Sequence, residues 1–230
     1  MKGGACIRTA AMGLCMFTAA LVSCSDNPPE IIETEWQVIV FQNRLLGATY
    51  QRLSLFVRGG DEDGEKDLQA LHLIQDEEEL YWTVKAESWE KSTIRGSDWY
   101  GSNGFVMPGG GKLPLGAYRV LLEDLSGKMA ESRIYLKREN VDTEGAVFPS
   151  PLLQGSTITI GGNFVDPEIW VYDTNDQFLF RIPLPERSIT VENIIGRNNV
   201  LTAGFTYYLY GKQSGKYYGA LNGPYYYSAN

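Results

Sequence analysis

Leu113-Pro-Leu-Gly-Ala-Tyr-Arg-Val-Leu-Leu-Glu-Asp-Leu-Ser-Gly-Lys-Met-Ala-Glu-Ser-Arg-Ile-Tyr-Leu136 alternates side-chain character on either side of one Ser-Gly pair. Tyr118, Val120 and Leu122 fall on one face of an extended chain, and Ser126-Gly127 supplies the turn of a β-hairpin. The same period of two recurs at Trp36, Val38, Val40, at Leu53, Leu55, Val57 and at Leu80, Trp82, Val84, each run rich in β-branched or aromatic residues. Helical spacing is scarce. Its best candidate is Glu65 to Gln75, and there Leu71-His72-Leu73-Ile74 reads equally as a strand. Turn residues at Gly59-Gly60-Asp61, Gly109-Gly110-Gly111, Gly161-Gly162-Asn163 and Ser214-Gly215 separate the runs. Many short strands divided in this way predict an all-β chain, a sandwich or a barrel.

A Leu-Pro-Leu-Gly corner leading into a tyrosine-bearing strand resembles the final hairpin of immunoglobulin-like and fibronectin type III-like modules. The resemblance covers about two dozen residues and implies one or two immunoglobulin-like β-sandwiches. The Cys and Trp spacing of true immunoglobulin domains is absent. An echo lies 88 positions on: Leu113, Gly116, Leu121, Ser126, Gly127 and Lys128 correspond to Leu201, Gly204, Leu209, Ser214, Gly215 and Lys216, and Trp82 to Trp170. Duplication would place a sandwich over residues 35–138 and a second over 148–230, joined through Lys137 to Pro151, where Gly145, Pro149 and Pro151 interrupt regular structure. The alternative is one larger β domain.

The N-terminus addresses location. Lys2 and Arg8 precede the charge-free apolar run Ala10 to Val22, the pattern of a secretory leader, and the run is short for a membrane-spanning helix of about 20 residues. Leu21-Val22-Ser23-Cys24 resembles the lipobox of bacterial lipoproteins. That resemblance implies cleavage of residues 1–23, acyl chains such as palmitate on Cys24, and membrane anchoring through them. Cys6 and Cys15 lie inside the leader, so Cys24 is the one cysteine of the mature chain, and acylation accounts for an otherwise unpaired exported thiol. Residues 24–34, with Pro28 and Pro29, read as a tether, with ordered structure expected from Glu35. Ser25 after the cysteine favours the outer membrane or cell surface over the inner membrane under the sorting rule of some Gram-negative bacteria.

The formal charge of −8 becomes −10 without Lys2 and Arg8. This excludes a basic footprint for nucleic acid and a polybasic patch for anionic lipid. With a single histidine, His72, the familiar Ser-His-Asp and Cys-His mechanisms lack parts, and a zinc site of the usual kind lacks ligands. Pro108-Gly109-Gly110-Gly111-Lys112 fails as a phosphate loop, because Val106 and Leu113 stand where a glycine and a hydroxyl are needed. Ser88-Trp89-Glu90-Lys91 has Ser-x-x-Lys spacing without its companion boxes. Carboxylate pairing of the glycosidase kind is spatial, and nothing in the sequence singles a pair out. Asp61-Glu62-Asp63-Gly64-Glu65 suggests a calcium loop, but alignment on Gly64 puts Gly59 and Ala70 at essential ligand positions. It reads as a solvated hairpin tip, and the expectation is no metal and no cofactor, although neighbouring loops of a sandwich can share a calcium ion.

Glu87 to Phe105 breaks the strand pattern with Trp89, Trp99, Tyr100 and Asn103 among Ser and Gly, and eight of the 14 tyrosines fall between Tyr207 and Asn230. Tyr and Trp among Ser, Gly and Asn is the composition of adaptable binding loops. The alternative is that the rings plug a sandwich end or pack across strands. The sequence therefore predicts a lipid-anchored envelope protein that is not an enzyme. Its expected role is recognition of a protein partner, through the Trp89–Phe105 segment or an exposed sheet edge; the second reading is glycan or peptidoglycan binding with Trp89, Trp99 and Tyr100 as stacking platforms.

Overall fold

The computed structural model describes residues 27–62, 64–94, 96–137 and 143–228. The expected leader and the lipobox-like stretch ending at Cys24 lie outside the described residues. Among those described, no helix is long and apolar enough to cross a membrane. The protein is all-β. Its first eight strands are β1 (Glu30–Asn43), β2 (Ala48–Gly60), β3 (Leu68–Gln75), β4 (Leu80–Lys85), β5 (Glu90–Ile94), β6 (Ser97–Val106), β7 (Gly116–Asp124) and β8 (Met129–Leu136). Seven follow: β9 (Ser150–Gln154), β10 (Thr157–Gly161), β11 (Val165–Tyr172), β12 (Phe178–Pro183), β13 (Ser188–Thr190), β14 (Phe205–Lys212) and β15 (Gly219–Tyr227), with one short helix, α1 (Val191–Ile195), before β14.

Local chemistry sets the β7–β8 hairpin. Asp124 Oδ1 accepts from Ser126 N and Lys128 N, both at 2.8 Å, and Gly127 takes the positive φ of 84° that the turn needs. That turn fixes the register Leu122↔Ala130 and Tyr118↔Ile134, which sends Tyr118, Val120, Leu122, Ile134 and Leu136 inward. Tyr118 Oη donates to Pro114 O at 2.8 Å, closing the corner that leads into the strand.

Sheet β4-β3-β7-β8 packs on β1-β2-β6-β5 around Val38, Val40, Leu53, Leu55, Leu71, Leu73 and Phe105. This is the immunoglobulin-like order, four strands facing four. In the second half, β13-β10-β9 packs on β12-β11-β14-β15 around Ile158, Ile160, Ile169, Val171 and Leu209. The β7–β8 hairpin ends its sheet at β8, whereas β14–β15, 88 residues on, lies inside the larger sheet because β15 also pairs with β1. Trp82 and Trp170 differ in place too: β4 is an edge strand and β11 an interior one.

The halves are joined through a strand pair. β1 runs parallel to β15 from Ile39↔Gly219 to Asn43↔Gly223, which makes one eight-stranded sheet in the order β12-β11-β14-β15-β1-β2-β6-β5. Val40 and Ala220 pair directly, so both smaller sheets cover the same face of it. Its other face is concave. Arg52 on β2 reaches within 5.6 Å of the Trp170 ring on β11, and the outermost strands meet where Arg181 Nη2 donates to Ser92 Oγ at 2.9 Å. A flat sheet would hold strands four positions apart roughly 19 Å from each other. The large sheet therefore curls like an unfinished barrel around Ile39, Phe41, Trp170, Tyr210 and Leu221.

Four sequence expectations are corrected. Glu65–Gln75 is one 3-10 turn followed by strand β3, because Leu71 and Leu73 alternate into the core. β1 starts at Glu30 and not near Glu35, since pairing with β2 extends to Glu30↔Gly60 and draws the end of the expected tether into the sheet. Glu87–Phe105 is mostly strand β5 and β6, and the Asp61 region is a crossover between sheets instead of a hairpin tip.

Candidate functional site

Upstream of Ile39, β1 pairs with β2 alone, and β8 pairs with β7 alone. The free edges of β1 and β8 lie next to each other, with Thr34 Oγ1 donating to Ser132 Oγ at 3.3 Å. Between them opens a cleft of about 650 Å³, lined along β1 by Glu35 to Val38 and along β8 and just past its end by Arg133 to Lys137. Val38, Leu113, Ile134 and Leu136 form its apolar floor, continuous with the first core. Trp36 and Tyr135 stand at the rim, 37% and 48% exposed, with Tyr217 opposite.

The rim carries Arg133, Lys137, Arg181 and Lys212 against one carboxylate, Glu35. Two of these cations already have partners outside it: Arg133 Nε is 3.2 Å from Glu131 Oε1 and Lys212 Nζ is 3.7 Å from Asp166 Oδ2. Hydrogen bonds from Arg119 and Arg133 hold the Glu131 carboxyl below its ordinary range. Around the free edge of β1 the cleft passes Gln37, Ser54 and Phe56 into the mouth of the curled sheet.

Inside that curl lies a polar cluster. Asn103 N donates to Glu90 Oε1 at 3.1 Å and its Nδ2 donates to Oε2, while Ser54 Oγ donates to Asn103 Oδ1 at 2.6 Å. Burial pushes the Glu90 carboxyl up, opposed by the Asn103 hydrogen bonds and by Arg52 and Arg181 nearby. The Arg52 guanidinium lies 4.6 Å from the Phe41 ring and 5.6 Å from Trp170. Tyr210 stacks on Trp170 at 5.3 Å and donates to Gln37 Oε1. These contacts tie β1, β2, β5, β6, β11, β12 and β14 together, so the cluster holds the curl and with it the mouth of the cleft.

The residues predicted for binding are placed differently from expectation. Trp99, Tyr100 and Asn103 are 4%, 2% and 1% exposed. Trp99 pairs with Ser92 and faces the concave interior; Tyr100 pairs with Val57 and meets Trp89 at 5.3 Å against the first core. Trp89 is partly buried, its Nε1 donating to Val84 O at 2.9 Å. The four do not make a stacking platform, because both faces of β6 are covered. Asn103 instead anchors Glu90.

His72 is buried on the outer side of β3. Its Nε2 is 2.7 Å from Glu123 Oε2 and its Nδ1 2.6 Å from Tyr81 Oη. The cleft residues have no common sequence signal because they come from β1, β2, β8, β12 and β14 and from the connections before β7 and β15. The one local sign was Arg133, Tyr135 and Lys137 alternating with core residues.

The strand order and the cleft define an all-β protein of sandwich layers stacked on one curled sheet. No family model matches the sequence, and no curated protein matches it. Solved structures similar in part include the Ig1-2 module of the Drosophila receptor protein tyrosine phosphatase DLAR, at 14% identity and TM-score 0.39 over 85% of this chain and 98% of that one. Latent PorU from Porphyromonas gingivalis is similar at 12% identity and TM-score 0.31, over 88% of this chain and 20% of that one. The Treponema pallidum lipoprotein Tp47 is similar at 14% identity and TM-score 0.25, over 77% and 47%. At these scores the likenesses carry no functional argument.

Proposed function

We propose that this protein is a lipid-anchored binding module of the cell envelope, not an enzyme, and that it accepts an extended segment of a partner protein in the cleft between β1 and β8. The observation that carries the reading is the free edge of β1 from Glu30 to Val38 facing the free edge of β8 across an apolar floor. An extended segment satisfies the exposed amides and carbonyls of such an edge while its alternate side chains enter the floor. Trp36 and Tyr135 offer the large rings that anchor protein interfaces. Glycan stacking on Trp89, Trp99 and Tyr100 finds no support in rings that lie against the core and the curl.

The test uses a photo-crosslinking amino acid at position 36 in intact cells, with position 81, exposed on the distant edge strand β4, as control. A partner captured at 36 and not at 81, whose binding slows amide exchange over residues 34–38, supports the reading. Capture at both positions, or protection elsewhere, overturns it. The anchoring is tested separately by growth on labelled palmitate, which the wild type incorporates and a Cys24→Ala variant does not; an unlabelled wild type removes the envelope assignment.

A further inference from the structure

We propose that Asp61, Asp67 and Asp124 form a binding site for a divalent cation of the calcium class at one end of the first sandwich. One carboxylate oxygen from each lies within 4.8 Å of the other two. Calcium holds oxygen ligands at about 2.3–2.6 Å, so ligands on opposite sides of one ion stand roughly 4.6–5.2 Å apart, and this cluster has the size to surround it. The three come from separate elements: Asp61 follows β2, Asp67 ends the 3-10 turn before β3, and Asp124 is the last residue of β7. Leu125 N donates to Asp67 O at 2.7 Å, clamping the two connections together.

The second observation is Asp124 itself. It is 0% exposed. Its Oδ1 is committed to the hairpin turn, accepting from Ser126 N, Ser126 Oγ and Lys128 N at 2.8 Å each. Its Oδ2 is equally buried and has no hydrogen-bond partner among the described residues. A buried carboxylate oxygen without a donor is costly, and two further carboxylates beside it add like-charge repulsion. A hard cation relieves both at once, and an all-carboxylate donor set selects calcium or magnesium over softer metals. Calcium tolerates irregular ligand geometry better than magnesium. A recess of about 450 Å³ beside Asp61, bordered by Pro28, Glu30 and Glu62, gives an ion and its remaining waters a way in.

The experiment follows thermal unfolding and calorimetric titration of the chelator-stripped full chain with calcium chloride, magnesium chloride as comparison. The expected result is saturable calcium binding with a rise in melting temperature. At calcium a hundredfold above the dissociation constant, the unfolding equilibrium constant falls about 100-fold. Asp124→Asn keeps an oxygen for the turn and removes the charge; it should stay folded and lose the calcium response, and Asp61→Asn should lose it too if the first variant fails to fold. No response of the wild type up to millimolar calcium overturns the proposal. So does a response that survives in both variants, since the ion would then bind elsewhere.

Discussion

The Arg52 guanidinium carbon stands 5.6 Å from the Trp170 ring centre, although three strands separate their own strands in the sheet. That proximity marks the curl, and the curl brings the cations of β12 and β14 to a cleft otherwise built by β1 and β8. Its maintenance depends on a buried acid, Glu90, set among Asn103, Arg52 and Arg181.

Arg52→Met should cost on the order of 2–3 kcal/mol at pH 8, because it leaves Glu90 buried without one of its cations and removes two cation–ring contacts. Losing the cation raises the folded-state affinity of Glu90 for its proton, so the penalty should shrink at pH 5. Urea unfolding at both pH values checks this; an equal loss at both would show that Arg52 acts through packing alone.

Glu90→Gln should flatten the pH dependence of stability. In the wild type the folded carboxyl titrates above its ordinary value of 4.5. The folded state then binds more protons than the unfolded one between the two values, and stability falls as pH rises through that window. Glutamine has no proton to lose. The stability of the variant relative to wild type should therefore improve as pH rises from 4.5, measured by denaturant midpoints at constant ionic strength.

How far such features could be read from sequence depends on how local their causes are. The β7–β8 hairpin was legible because Asp124, Ser126, Gly127 and Lys128 set its turn and register within five residues. The β1–β15 pairing was not, since Ile39 and Gly219 meet without any local signal. Trp99 and Tyr100 misled for another reason: β6 is covered on both faces, so period-two polarity vanishes. The Gly and Asn that suggested a loop are there for interior reasons, Asn103 to hold Glu90 and Gly101 to let β2 approach. Asp61 and Asp124 show the same limit, their convergence being set by a crossover between sheets.

Tyr118→Phe should lower stability by about 1–2 kcal/mol. The ring stays in place, stacked 6.3 Å from Trp82, but its hydrogen bond to Pro114 O is lost, and that partly buried carbonyl loses the donor that closes the corner. The change should appear as a lower denaturant midpoint with an unchanged slope, because the corner constrains the connection before β7 and not the sheet itself. A change in slope would mean that the corner governs more of the fold than this.

Gly101→Ala should be the most damaging of the single-atom additions. Gly101 pairs with Phe56 on β2 and Glu90 on β5, in the interior of the curled sheet. A methyl group there would sit 2.0 Å from Leu55 O and 2.7 Å from Phe56 Cα, both backbone atoms that no rotamer change can move. Relief requires β2 and β6 to separate, which breaks ladder hydrogen bonds and pulls Asn103 away from Glu90 and Ser54. Overpacking of a core side chain costs about 1–3 kcal/mol, and a clash with fixed backbone should exceed that range. Gly104→Ala on the same strand is the control, because its nearest neighbour is Ser102 Oγ at 3.3 Å, the end of a side chain that can rotate. Thermal unfolding should separate the two variants by at least about 6 °C, at roughly 2–4 °C per kcal/mol for a chain of this size. Similar melting temperatures for both would show that β2 and β6 have room to part, and the close approach at Gly101 would then have no part in holding the curl.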